Sequence, residues 1–232
     1  MKMMKTPCLL ALLFLVALAT TDARAQFEIR AFTGLRVGGS FTDYGYETNA
    51  LLEDLDVAPG TQFGASLYIP VVSTSMNGGS TKIELLFNFQ KSDLRFEPAS
   101  ISSVPDSITA RFAVDGDRLI LDEVKVQYAH IGVMQQFGND SGWIPHVNFG
   151  LGATIFKTTD SDLEESKFSF HLGGGVTKMW SNTIGSRFQI RGYFTLLPSD
   201  NLWVDRFGGV WGAIDSNMFF QGEISAGLVF SL

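Results

Sequence analysis

From residue 27 onward, the sequence alternates apolar and polar side chains in eight separate segments. Each segment keeps a period of two over at least eight residues, which is the pattern of a strand with two different faces. Each is about as long as a tilted strand that crosses a bilayer, roughly 9–11 residues. The pattern therefore predicts an all-β fold of eight long strands: FEIRAFTGLRVGGSF (27–41), TQFGASLYIPV (61–71), TKIELLFNFQKS (81–92), DEVKVQYAHIGVM (122–134), IPHVNFGLGATIF (144–156), KFSFHLGGGVTK (167–178), SRFQIRGYFTLL (186–197) and FFQGEISAGLVFSL (219–232).

The polar faces of these segments are rich in glycine and also carry arginine and glutamate. The outer face of a soluble sheet is usually poor in glycine, whereas the crowded interior of a narrow barrel needs small residues beside long ones. We therefore expect an antiparallel up-and-down transmembrane barrel with its polar face inside and its apolar face towards lipid. In the fourth segment this assignment turns Val124, Val126 and Tyr128 towards lipid. A secreted sandwich and a lipocalin-like barrel are the alternatives.

Most links between the segments alternate between long and short, while two fit less well: 72–80 is long for a turn and 157–166 is short for a loop. The links after the first, third and seventh segments are long (42–58, 93–121 and 198–218), while those after the fourth and sixth are short. Outer-membrane barrels have long extracellular loops and short periplasmic turns, with aromatic girdles at both interfaces. Trp143 and Trp180 lie beside the short links, where a girdle is expected. We expect the outer membrane of a Gram-negative cell, with both termini in the periplasm.

The first 25 residues have the features of a secretory signal peptide. Lys2 and Lys5 precede an apolar run, and Ala23-Arg24-Ala25 forms a small-x-small cleavage site. This leaves 26–232 as one barrel domain. Cys8 is the only cysteine, so the mature chain is expected to have none. Without residues 1–25 the chain has 14 basic and 23 acidic residues, a formal charge of −9, which argues against a nucleic-acid partner.

The last strand carries a motif that resembles the C-terminal assembly signal of the small eight-stranded outer-membrane β-barrels, the OmpA-, OmpX- and OmpW-type proteins. It has the form polar–x–Gly–x–x–hydrophobic–x–aromatic, matched by Ser225, Gly227, Phe230 and Leu232. The family usually ends in phenylalanine, so Leu232 departs from the pattern and predicts less efficient recognition by the barrel-assembly machinery. The resemblance also implies a monomer without cofactors, in contact with outer-membrane lipid and lipopolysaccharide.

The inward positions carry charged side chains and histidines that we expect to interlock across the lumen. Buried charges persist only when they are paired and hydrogen-bonded, and an eight-stranded lumen is just wide enough to be filled by side chains. The first and eighth strands must touch to close the barrel, so Arg36 and Glu223 are expected to pair. The predicted network comprises a layer near the periplasm (Glu28, Arg30, Lys82, Glu84, His146, Arg187) and an outer layer (Arg36, Glu123, Lys125, His171, Arg191, Glu223).

This network predicts a largely plugged lumen and a structural or surface-interaction role. A narrow channel for small solutes, as in OmpW-type proteins, is the alternative, and a lipid-modifying barrel enzyme is the third. Catalysis needs a nucleophile, a base and an acid within hydrogen-bond reach. The sequence places His130 towards lipid and His146 deep in the barrel, and only His171 near Ser169 and Ser166. We therefore expect no enzyme activity.

Specific contacts are expected in the loops, which carry function on many rigid scaffolds. Asp115-Gly116 in the second loop predicts a hairpin. In the fourth loop Trp203, Phe207 and Trp211 are candidates for contact with an extracellular ligand, or alternatively for a girdle or a lid over the barrel mouth. The acidic stretch 160–165 lacks the glycine and spacing of an EF-hand, so we expect no metal site.

Overall fold

The computed structural model describes residues 27–42, 54–71, 79–96, 113–115, 118–138, 142–158, 164–197, 202–204, 210–213 and 218–232. The expected signal peptide lies outside these residues. No helix within them is long and apolar enough to cross a membrane. The strands are β1 (Glu28–Gly38), β2 (Ser40–Thr42), β3 (Asp54–Val57), β4 (Gly60–Val71), β5 (Ser80–Phe96), β6 (Ala113–Asp115), β7 (Arg118–Gln136), β8 (Trp143–Thr158), β9 (Glu164–Met179), β10 (Ile184–Leu196), β11 (Leu202–Val204), β12 (Val210–Ala213) and β13 (Met218–Ser231).

The eight long strands close into a barrel, as the alternation predicts. Each pairs antiparallel with its neighbours in the order β1, β4, β5, β7, β8, β9, β10, β13. The ring is completed by β1 against β13, whose register runs from Glu28 opposite Ser231 to Gly38 opposite Gln221. The prediction of an eight-stranded antiparallel barrel is confirmed.

The two ends of the barrel differ. At one end, here called the terminal end, the Leu232 amide donates to the Phe27 carbonyl at 2.8 Å. The tight turn between β9 and β10 lies at the same end, where the Trp180 amide donates to the Ile184 carbonyl at 2.9 Å. The opposite end, here called the loop end, carries the links from β1 to β4, β5 to β7, β8 to β9 and β10 to β13.

Short strands extend the sheet at the loop end. β3 pairs with β2 and with the last residues of β5. β6 pairs antiparallel with β7, with Asp115 opposite Arg118, so two strands meet where the hairpin is predicted. Asp115 itself is paired, and Gly116 lies outside the described residues. In the fourth loop β11 pairs with β12, which sets the backbones of Trp203 and Trp211 opposite each other. Phe207 lies outside the described residues.

The outer wall is apolar and the inner wall is mostly polar. Large apolar side chains such as Leu35, Ile190 and Ile224 are more than 60% exposed on the outside. Next to them in sequence, side chains such as Arg36 and Arg191 are buried inside. In seven of the eight predicted segments the structure gives each face the direction that the alternation predicts.

The fourth segment is the exception, and the prediction for its first half is wrong. Val124, Val126 and Tyr128 are buried inside the barrel, whereas further along β7 Ile131 is 58% exposed on the outside. β7 has 19 residues, more than a crossing requires, so its loop-end half extends beyond the apolar band. There the outer face is polar and the inner face is apolar, as in a soluble barrel. An apolar cluster closes this end of the interior: Val57, Val124, Val126, Phe156, Leu197 and Phe219.

Two predicted members of the lumen network are therefore misplaced. Glu123 and Lys125 alternate with Val124 and Val126, so they lie on the outer face of β7. Glu123 forms its ion pair there with Lys91 of β5. The assignment failed because the apolar positions of β7 change from even to odd numbers between Tyr128 and Ala129.

Candidate functional site

The barrel interior contains a cluster of buried charged side chains. Among the described residues it holds five basic and three acidic groups, an excess of two positive charges with the histidines neutral. Each is less than a tenth exposed, although an isolated buried charge is strongly unfavourable. The cluster consists of Glu28, Arg30, Arg36, Lys82, Glu84, Arg187, Arg191 and Glu223.

Near the terminal end, Glu28 of β1 is held by two basic side chains. Arg187 Nη2 donates to Glu28 Oε2 at 2.9 Å, and Lys82 pairs with the other carboxylate oxygen. Arg187 also donates through Nε to Thr177 Oγ1 at 2.7 Å, and its guanidinium lies over the Tyr68 ring, 4.4 Å from the ring centroid. These contacts join β1, β5, β9, β10 and β4 across the lumen.

Glu84 of β5 is the centre of the network. Its Oε1 accepts hydrogen bonds from Arg191 at 2.7 Å and Tyr68 at 2.9 Å. Its Oε2 accepts from Asn148 at 2.9 Å, and His171 Nε2 lies 3.6 Å away. Glu84 of the predicted periplasmic layer bonds to Arg191 of the predicted outer layer, so the two layers are connected at this point.

Glu223 of β13 forms the next group towards the loop end. Arg36 Nη2 lies 3.4 Å from Glu223 Oε2, so the predicted pair is confirmed. The same oxygen accepts from Tyr193 at 2.8 Å and from Asn88 at 3.1 Å. Asn88 also accepts from Arg36 at 2.7 Å. One carboxylate thus binds side chains from β1, β5 and β10.

Arg30 has neutral partners. It donates to Gln189 Oε1 and, at 3.0 Å, to Ser225 Oγ, and its guanidinium lies 4.3 Å from the centroid of the Phe32 ring. No ion pair joins it to a carboxylate of the described residues. His146 is also buried, and neither of its ring nitrogens has a hydrogen-bond partner among them.

His130 and His171 stack inside the barrel, so the prediction that His130 faces lipid is wrong. Their ring centroids are 4.9 Å apart with an interplanar angle of 13°. The two Nδ1 atoms are 2.7 Å apart, so one ring donates and the other accepts. Ser169 Oγ lies 2.7 Å from His130 Nε2. A chain of polar contacts therefore runs from Ser169 through both histidines to Glu84.

Two glycines of β8 provide the space for this pair. A Cβ on Gly150 would stand 2.4 Å from Cε1 of His171, and one on Gly152 would stand 2.4 Å from Cδ2 of His130. Glycine at these inward positions therefore allows two imidazoles to occupy one level of a narrow lumen.

Aromatic and hydroxyl groups connect the charged network to the apolar cluster at the loop end. The rings of Tyr128 and Tyr193 stack with centroids 4.1 Å apart. Tyr128 donates to Gln221 Oε1 at 2.9 Å, and Thr154 and Thr195 are hydrogen-bonded at 2.7 Å. Side chains thus occupy the interior from Glu28 to the apolar cluster.

The predicted assembly motif lies on β13 near the terminal end. Ser225 faces inward and binds Arg30, while Phe230 faces outward and Leu232 is 70% exposed. A Cβ on Gly227 would stand 2.4 Å from the Ala31 carbonyl, so close pairing with β1 favours glycine there.

The neutral members of the network were missed by sequence reasoning. Asn88, Asn148, Tyr68 and Tyr193 all lie at inward positions of the period-two pattern, but they carry no charge, so the expectation of paired charges does not select them. An alternation that continues unchanged past Tyr128 places His130 towards lipid, whereas the apolar positions of β7 change from even to odd numbers there. The change from VKV to IGV along that strand is the signal that could have placed it.

Comparisons with known proteins agree with this architecture. No protein-family model matches the sequence, and no curated protein matches it. Among solved structures, Neisserial surface protein A superposes with a TM-score of 0.51 at 11% identity, covering 89% of this chain and 97% of that one. OprG from Pseudomonas aeruginosa also matches, with a TM-score of 0.47 at 12% identity, covering 90% of this chain and 96% of that one. Ail of Yersinia pestis matches with a TM-score of 0.41 at 11% identity, covering 88% of this chain and 99% of that one.

The chain therefore has the fold of the small eight-stranded outer-membrane β-barrels. At 11% identity the likeness to Neisserial surface protein A extends to the fold alone. Any role must be argued from the walls, the interior and the loops of this barrel.

Proposed function

We propose that this protein is a structural or surface-interaction barrel of the Gram-negative outer membrane, with a lumen largely plugged by its own side chains. The loop end faces the outside and both termini face the periplasm. The loops are the contact surface for an extracellular ligand, with Trp203, Phe207 and Trp211 as the candidate residues. The protein works as a monomer without a cofactor.

The outer wall supports the membrane location. An apolar band surrounds the barrel, while charged groups are gathered inside, which is the distribution that a bilayer requires of a spanning barrel. The exposed Trp143 and Trp180 lie at the terminal end. Three of the four loop-end links are longer than any link at the terminal end, which supports the proposed orientation; the fourth, 159–163 between β8 and β9, is short.

The continuous interior network is the observation that carries the plugged lumen. Glu28, Glu84 and Glu223 each bind side chains from several strands, and the apolar cluster closes the loop end. A solvated path would have to break these contacts or displace the cluster.

Single-channel recording in planar bilayers tests this proposal. We expect no sustained large conductance from the unaltered barrel. The double variant Arg36→Ala/Glu223→Ala removes a buried ion pair from the lumen and is expected to conduct more often. Sustained large conductance of the unaltered protein would contradict the plugged lumen.

A narrow path for small anions is the second candidate. The excess of two positive charges in the described interior, and the absence of a carboxylate partner for Arg30 among those residues, favour it. It predicts small, anion-selective currents that Arg30→Gln reduces. Cation-selective currents would count against it.

We propose no catalytic role for the contact between Ser169 and His130. A serine beside a histidine resembles a nucleophile with its base, but both are buried in the interior, away from lipid and water. We expect no hydrolysis of lipid A or phospholipid by the purified protein. Hydrolysis that disappears in Ser169→Ala and in His130→Ala would overturn this proposal.

A further inference from the structure

Three lysines lie side by side on the outer wall near the loop end. Lys91 of β5 is directly opposite Lys125 of β7, and Lys125 is directly opposite Lys157 of β8. Side chains opposite each other in antiparallel strands have Cβ atoms about 4.5–5.5 Å apart. The three ammonium groups therefore form one row across three neighbouring strands, here called the lysine row.

The ends of the lysine row have carboxylate partners, and its centre has none among the described side chains. Lys91 pairs with Glu123, and Lys157 Nζ lies 3.7 Å from Glu164. Lys125 stands between two lysines, and like charges directly opposite each other are destabilising. An external anion at Lys125 would relieve this repulsion.

The wall beside the lysine row has the shape of a shallow apolar trough. Four residues further towards the terminal end, Ala129 and Ala153 are directly opposite each other. They are flanked in register by Phe87 on β5 and Phe168 on β9, both about half exposed. Two small side chains between two large ones leave room for a hydrocarbon chain along the strands, roughly 13 Å from the lysines at about 3.3 Å per residue.

We propose that the lysine row and this trough form a binding site for lipopolysaccharide, with its phosphates on Lys125 and its neighbours and an acyl chain between Phe87 and Phe168. The inference rests on the proposed membrane location, with the loop end in the outer leaflet. A row of ammonium groups beside an apolar wall fits an amphiphile that carries more than one phosphate. Basic residues at a membrane surface attract anionic lipid in this way.

The test measures binding of fluorescent lipopolysaccharide to the full folded chain in detergent micelles. Lys125→Glu is expected to weaken binding by about fivefold or more, since one basic residue at a membrane surface contributes about that factor. Lys178→Glu is the matched control, because Lys178 lies at the terminal end, 5.4 Å from the Trp143 ring centroid. It is expected to bind as the unaltered protein does.

Two further arms identify the ligand. Dephosphorylated lipopolysaccharide should bind the unaltered protein as weakly as intact lipopolysaccharide binds Lys125→Glu, and phosphatidylglycerol should compete poorly. Equal losses in Lys125→Glu and Lys178→Glu, no loss in either, or equal binding of phosphatidylglycerol would overturn the site. Gel migration before and after boiling, measured for each variant, separates failure of the lipopolysaccharide site from failure of the membrane barrel. If boiling does not change the migration of the unaltered protein, the membrane barrel itself is contradicted.

Discussion

Glu84 illustrates how a carboxylate is tolerated inside this barrel. Hydrogen-bond donors reach it from β4, β8 and β10, and His171 of β9 lies 3.6 Å away. A buried carboxylate is stabilised only when such partners replace the water that it has lost. Contacts from β4, β8, β9 and β10 therefore converge on this one carboxylate.

Glu84→Gln is expected to destabilise the barrel by about 3–5 kcal/mol, because it leaves Arg191 buried without its ion-pair partner. Equilibrium unfolding by urea in detergent micelles or lipid vesicles measures the loss. The matched control is Glu164→Gln, which breaks the exposed pair with Lys157. Such a pair contributes about 0–1 kcal/mol, and equal losses in the two variants would contradict the role assigned to Glu84.

Gly150→Ala tests the space reserved for the histidine pair. The added methyl group would overlap His171, and overpacking of this kind costs about 1–3 kcal/mol. Gly222→Ala is the control, because a Cβ there would meet Val37 at an ordinary 3.8 Å. Unfolding in urea should show a loss for Gly150→Ala alone. An equally stable Gly150→Ala variant would show that the histidines can move apart without cost.

Sequence reasoning could predict residue contacts only where strand order forces them. Arg36 and Glu223 were paired correctly because the first and last strands must meet when a barrel closes. The partners of Glu84 could not be predicted, because they depend on the stagger between strands that are not neighbours. That stagger determines which inward side chains share a level of the lumen.

At the scale of a strand, β7 shows that one strand can have a polar outer face in one half and an apolar outer face in the other. Its outward side chains are Lys125 and Gln127 in the loop-end half, and Ile131 and Val133 in the half nearer the termini. The inward side chains change in the opposite sense, from valine to histidine and glycine. The sequence predicts the strand itself, but its faces are assigned correctly only if the change at 128–129 is recognised.

Single cysteines along β7 test this change directly, since Cys8 is the only natural cysteine and lies in the expected signal peptide. In vesicles, Lys125→Cys should react with a water-soluble maleimide. Ile131→Cys should carry a label that lipid nitroxides quench. Val126→Cys should show neither behaviour, because the side chain is fully buried. Quenching by lipid nitroxides at position 126 would show that this side chain faces lipid, as uninterrupted alternation predicts.

At the scale of the molecule, the fold follows from an inverted distribution of polarity. Seven segments carry apolar side chains outward along their crossings, and the terminal-end half of β7 does the same. This pattern, repeated around a closed ring, was sufficient to predict the barrel. The apolar cluster at the loop end could not be predicted, because it is assembled from residues of β3, β7, β8 and β13 and from Leu197 just after β10.

The central claim is that this closed barrel lies in a membrane, and electrophoretic migration before and after boiling tests it most directly. Protein extracted with detergent from outer-membrane fractions should migrate faster unboiled, because the closed barrel resists unfolding in the gel, and should shift to its full apparent mass after boiling. Identical migration in both samples, from a protein that is soluble without detergent, would contradict the account.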